Sequence, residues 1–173
     1  MPILRFLLRS DVALYYFLNR KLQNPLVDRL MRAVTYLGET VSGMLLCALA
    51  VYLQSKVGTH IGSHAIYVMA LSQFLVHALK RIVNRTRPYL KHTWSRAVNP
   101  PRCRYSFPSG HTACAVALAL VFGFHFAWLK PLVYLLAGLV SLSRIVLGFH
   151  YPSDVLVGFL LAYVPFLAVT GLM

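Results

Sequence analysis

Three short segments of this chain carry residue types that, brought together, could handle a phosphate. In KRIVNRTRP, Lys80 to Pro88, a lysine offers a point charge and Arg87 a planar fork for two phosphate oxygens. Pro88 is expected to help end the preceding helix so that Arg87 turns back. In FPSGHT, Phe107 to Thr112, Ser109 suits a helix start and Gly110 admits a ligand to the backbone. The free N–H groups of that first turn make an anion site reinforced by the helix dipole, and His111 could protonate a departing oxygen. In SRIVLGFHYPSD, Ser143 to Asp154, Arg144 lies in an apolar run, which is costly unless it meets an anion or water. There Asp154 could accept from His150 Nδ1, fixing the tautomer that leaves Nε2 as an unprotonated nucleophile. Each segment also has a plainer reading: headgroup-anchoring cations at a span end, a Ser-capped helix with an interfacial histidine, and an acidic helix cap.

The elements that must position these residues are apolar. The chain has 173 residues, 58% of them hydrophobic and 12% charged, with a mean hydropathy of +0.65. A soluble domain carries about twice that charge, so most of this surface faces lipid. The charge is also one-sided, 17 Lys and Arg against four acids, which asks for an anionic partner. The acids are Asp11, Asp28, Glu39 and Asp154. One carboxylate after residue 39 cannot build a magnesium, calcium or two-metal site, so no metal or other cofactor is expected. Cys47, Cys103 and Cys114 lack the spacing of a zinc site or disulfide scaffold and read as small apolar residues.

Five stretches approach the length of a membrane span: Tyr36–Gln54, Ile61–Ile82, Ser109–Leu129, Pro131–Phe149 and Ser153–Met173. In the second, Gln73, His77 and Lys80 follow i, i+4, i+7 and are expected on one inward-turned face. Residues 1–35, with Leu4, Phe6, Leu7 and Leu8 interleaved with Arg5, Arg9 and Asp11, read as amphipathic helices lying in the interface and broken at Pro25. No secretory cleavage site follows the opening apolar run. The one long loop, 83–108, carries Arg85, Arg87, Lys91, Arg96, Arg102 and Arg104 among Tyr89, Trp94 and Tyr105. Between two spans, such a loop fits lipid headgroups better than nucleic acid, which is not expected as a partner. The expectation is therefore an all-α integral-membrane bundle of about five spans in one domain, 1–173. All 17 basic residues except Lys56 and Lys130 fall on or near one side, which the positive-inside rule makes cytoplasmic.

Lys80-x6-Arg87-Pro88, then Pro108-Ser109-Gly110-His111, then Ser143-Arg144-x5-His150-x3-Asp154 resembles the three-part signature of the type 2 phosphatidic acid phosphatase superfamily. That superfamily includes membrane lipid phosphatases and soluble vanadium haloperoxidases, and these apolar spans do not suit the soluble branch. The resemblance implies a phosphohistidine on His150, supported by Asp154, and His111 as proton donor to the leaving group. It assigns the phosphate to Lys80, Arg87, Ser109, Gly110 and Arg144. It implies a lipid phosphate substrate, such as phosphatidylglycerophosphate, phosphatidic acid, undecaprenyl diphosphate or a lipid A phosphate, and a site on the periplasmic or outer face of a bacterial inner membrane. A phosphotransferase using the same histidine is the alternative, and a non-catalytic binder of anionic lipids the more distant one.

Overall fold

The computed structural model describes residues 2–101 and 103–171, with side chains in the first few residues from Phe6 and then Leu8 onward. Leu4, Arg5 and Leu7 of the amphipathic pattern, Arg102 of the basic loop and the end of the fifth expected span fall outside that description. Among the described residues eight α-helices follow in order: α1 Pro2–Lys21, α2 Pro25–Thr35, α3 Thr40–Val57, α4 Ile61–Val83, α5 Pro88–Lys91, α6 Gly110–His125, α7 Lys130–Val146 and α8 Pro152–Thr170. The fold is all-helical; among the described residues the only strand-like pairing is an isolated bridge, Thr86 to Tyr105.

Four of the expected spans are long and apolar enough to cross a membrane: α3, α4, α7 with the 3-10 turn Ala127–Leu129 before it, and α8. The remaining one, α6, has 16 residues, or about 24 Å at 1.5 Å per residue, shorter than the predicted 109–129. It is the central helix, packed by α4, α7 and α8, with Ala113, Ala117 and Val121 almost fully buried. Its alanines let neighbouring backbones come close. Gly158 of α8 passes the start of α6 so tightly that a Cβ there would lie 2.6 Å from the Ser109 carbonyl oxygen. The first span starts later than predicted, because Tyr36–Gly38 forms a 3-10 turn ahead of α3.

Residues 1–35 form two helices broken where expected. Asn24 caps α2, its side chain accepting from Leu26 N at 2.8 Å, and Pro25 occupies the first turn. These helices are docked rather than free: α1 packs on α7 and α8, and α2 on α7. Asn19 of α1 donates to the carbonyls of Arg96 and Val146 and accepts from Arg96 N. Asp28 of α2 holds the Arg96 guanidinium with both oxygens. The long loop is thus tied down by the N-terminal helices.

The turn after α7 depends on a glycine. Gly148 has φ +89°, and a Cβ there would fall 2.0 Å from the Arg96 carbonyl oxygen. Gly148→Ala is expected to introduce about 1–3 kcal/mol of backbone strain besides that clash, lowering the melting temperature in detergent by several degrees. An unchanged melt would show that the loop does not pack against this turn.

Candidate active site

Helix α4 ends on Asn84, which adopts the left-handed conformation with φ 48° and caps the carbonyl of Lys80. The helix therefore stops four residues before Pro88, and Pro88 opens the short helix α5 instead of ending α4. Arg85 to Arg87 then run extended, paired through Ser106 N to Arg85 O at 2.8 Å and Arg87 N to Arg104 O at 3.2 Å. This holds Arg87 inside the protein, 3% exposed. Its Nε donates to Cys103 O at 2.6 Å and its Nη1 to Phe149 O at 3.0 Å, and Nη1 lies 3.3 Å from His150 Nε2. The α4 face turns only partly as expected. Gln73 reaches the Gly110 carbonyl at 3.2 Å and Lys80 is half-buried, but His77 points outward, bonded through Nδ1 to the Gln73 carbonyl one turn back.

Ser109 caps α6. Its buried Oγ accepts from Thr112 Oγ1 at 2.9 Å and from Thr112 N at 3.4 Å, so this hydroxyl serves the helix end while the amides of Gly110 and His111 lack intrahelical acceptors. His111 in that first turn lines a cavity of about 260 Å³ together with Arg144 of α7, Thr35 and Glu39. Arg144 is 3% exposed; its Nη1 donates to Thr35 Oγ1 at 2.6 Å, its Cζ lies 4.7 Å from the Phe149 ring centroid, and its buried Nε has no partner among the described residues.

His150 sits in the turn between α7 and α8, 1% exposed. Burial, and then the charges of Arg87, Arg144 and Lys80, hold its imidazole well below the usual histidine range. The shift favours the unprotonated ring. Asp154, at the third position of α8, approaches His150 Nδ1 to 3.7 Å, outside hydrogen-bond range, and that Nδ1 has no other partner among the described residues. The carboxylate instead accepts from Tyr151 N at 2.8 Å and from Arg85 Nη1 at 2.7 Å. Arg85, which sequence reading counted only among the loop cations, therefore touches this group directly. Burial lowers the Arg85 guanidinium, but Asp154 and Asp11 outweigh it and hold the group above its usual range.

Among the described residues no three His, Cys, Asp or Glu side chains stand together as a metal site. What converges is cations, helix amides and two histidines at one end of an apolar bundle, the arrangement of a membrane protein that handles a phosphate. The chain belongs to the PAP2 superfamily, whose model matches residues 62–173. It is 37% identical over 148 residues to decaprenylphosphoryl-5-phosphoribose phosphatase of Mycobacterium tuberculosis, covering 79% of this chain and 77% of that one. It is 29% identical over 167 residues to phosphatidylglycerophosphatase B of Bacillus subtilis, covering 87% and 77%. Among solved structures, LpxE of Aquifex aeolicus superposes with a TM-score of 0.81 at 26% identity over 91% of this chain and 92% of that one. The first two relatives are named as phosphatases of lipid phosphates, and the fold is that of LpxE.

In protein labelled with 15N-histidine, the His150 ring is expected to titrate below the usual histidine range. Arg87→Gln removes one of the facing charges and should raise the midpoint, with burial still holding it down. A midpoint that ignores the substitution would remove Arg87 as a cause.

Proposed function

We propose that the protein is an integral-membrane lipid phosphatase that removes a terminal phosphate from a lipid phosphomonoester or diphosphate through a phosphohistidine on His150, without a metal ion. The observation that carries this reading is the buried His150 with Arg87 Nη1 3.3 Å from its Nε2; burial, with the charges of Arg87, Arg144 and Lys80, favours its unprotonated form. The Nε2 lone pair attacks phosphorus, and the bond from phosphorus to the lipid oxygen breaks. His111 gives its proton to that departing oxygen. Lys80, Arg87, Arg144 and the amides of Gly110 and His111 hold the remaining oxygens, the Ser109 amide being already bonded to the Asp154 carbonyl at 3.0 Å; the charge on those oxygens is what such a transition state asks a protein to stabilise. Water then attacks the phosphohistidine, with His111 accepting its proton, and inorganic phosphate leaves. Three of the four acids already serve arginines, Asp28 with Arg96 and Asp11 and Asp154 with Arg85, which leaves no carboxylate set for magnesium.

An amphiphilic substrate is supported by what lies beneath the cavity. Leu37 follows Tyr36, Ala115 lies one turn beyond His111, and Val140 one turn before Arg144; these second residues line an apolar groove of about 310 Å³. A headgroup in the cavity would continue into lipid along that groove. The names of the relatives support a polyprenyl or glycerophospholipid phosphate, with undecaprenyl diphosphate and lipid A phosphate in the same panel. We place the site on the outer face of a bacterial inner membrane, as the family resemblance implies and against the positive-inside count, because a phosphate site itself demands cations on its own side.

Phosphate release from this panel in detergent is expected for at least one lipid. His150→Ala should lose at least about 10³-fold in kcat and His111→Ala about 10²–10⁴-fold, both with intact melts. Turnover should survive excess EDTA and be inhibited by vanadate as a transition-state mimic; a magnesium requirement would overturn the metal-free step. Orientation is read from Cys103, the exposed cysteine on the site face. A membrane-impermeant maleimide should label it on intact spheroplasts, and labelling only after lysis would place the site inside.

A further inference from the structure

Arg85 lies outside the residues assigned to catalysis or phosphate, yet it makes three side-chain hydrogen bonds at the site. Its Nη1 donates to Asp154 Oδ1 and to Ser153 Oγ, each at 2.7 Å, and its Nη2 donates to Asp11 Oδ2 at 2.7 Å. Its Cζ lies 3.9 Å from the centre of the Tyr151 ring. Both terminal nitrogens are therefore occupied, which separates Arg85 from the phosphate-facing Arg87 two residues later. Asp11, from α1, does more than balance the charge. Its Oδ1 accepts from Ser153 N at 2.9 Å and its Oδ2 from Ser153 Oγ at 2.6 Å. A carboxylate of α1 thus caps the first turn of α8 from outside, the turn that carries Asp154.

Asp154 is fully buried, and an uncompensated carboxylate is costly in such a place. Without Arg85 it would keep the backbone donor Tyr151 N and lose the arginine that contacts it directly, leaving Lys80 and Arg87 as more distant countercharges. A small rotation of the held carboxylate closes the 3.7 Å gap to His150 Nδ1 once that ring begins to acquire positive charge on bonding to phosphorus.

We propose that Arg85 and Asp11 are positioning residues. The α1 helix clamps Arg85 through Asp11, Arg85 clamps Asp154 as an ionised acceptor under His150, and the N-terminal interfacial helix is thereby part of the catalytic apparatus. This rests on the phosphatase reading above. It acts on the rate of phosphohistidine formation and leaves phosphate binding to Lys80, Arg87 and Arg144.

The test measures kcat and KM for phosphate release from dioctanoyl phosphatidic acid in detergent, per mole of folded enzyme judged by its thermal melt. Wild type, Arg85→Gln, Arg85→Lys, Asp11→Asn and the double variant Asp11→Asn/Arg85→Gln are compared. Arg85→Gln is expected to lower kcat about 10²-fold with KM within about threefold, and Arg85→Lys to recover part of that loss. Asp11→Asn should lower kcat about tenfold and add little in the Arg85→Gln background, since the two act through one chain of contacts. Should Arg85→Gln not fold, Asp11→Asn and Arg85→Lys carry the same kcat comparison. An unchanged kcat per folded enzyme overturns the proposal, as does a loss confined to KM, which would make Arg85 a phosphate ligand. Strictly additive losses overturn the chain through Asp11. A wild type with no turnover on any lipid of the panel overturns the phosphatase reading itself, whereas an active wild type with indifferent variants overturns this inference alone.

Discussion

Burying Arg87 and Arg144 side by side without a carboxylate for either is the constraint around which the molecule is organised. Each is 3% exposed, and neither has an ion-pair partner among the described residues. Arg87 is satisfied by the carbonyls of Cys103 and Phe149, and Arg144 by one threonine hydroxyl and an aromatic face. Neutral acceptors stabilise a guanidinium without cancelling its charge, so the field remains available to a ligand. Buried charge of this kind costs stability, and the cost is accepted where an anion is to be bound. Burial first, and then the same field, hold His150 below the usual histidine range, so the cations that would attract a phosphate also favour the unprotonated ring.

The rest of the structure offsets that cost away from the phosphate pocket. With four acids in the chain, every pairing matters. Asp28 fixes the long loop through Arg96, and Asp11 and Asp154 share Arg85 at the start of α8. These pairs are ties between segments remote in sequence, α2 to the loop and α1 to both α8 and the residues after α4. The central helix α6, lined by small residues, brings the surrounding helices close enough for such ties to form at one end of the bundle.

Much of this was legible in the sequence because it is local. Five apolar stretches, the break at Pro25 and the Ser109 cap each follow from a few consecutive residues, and Lys80, Arg87, His111, Arg144, His150 and Asp154 stand at fixed spacings in three short motifs. What escaped was governed by distant partners. Helical periodicity put His77 on the Lys80 face, but its ring turns back to the Gln73 carbonyl. Pro88 looked like a helix stop, but Asn84 had already closed α4 through a backbone conformation that composition does not announce. Arg85 read as one loop cation among several. Its partners are 74 and 69 residues away, and only the folded bundle shows that it differs from Arg81 or Arg104.

The division between motif and surroundings also bears on how one site serves different lipids. From the motifs, His111, Arg144 and Phe149 line the cavity, with His150 buried in the turn just after Phe149. The other walls come from elsewhere: Arg32, Thr35, Tyr36 and Glu39 on and after α2, and Val98, Asn99 and Pro101 on the loop that Asp28 and Asn19 hold in place. On the proposed mechanism the group that departs with the lipid oxygen lies against these walls, since His111 lines the same cavity. Substitution in α2 or the loop can therefore change which headgroup fits without touching a catalytic atom. Relatives that share the fold carry names as different as decaprenylphosphoryl-5-phosphoribose phosphatase and phosphatidylglycerophosphatase B, as such a division allows.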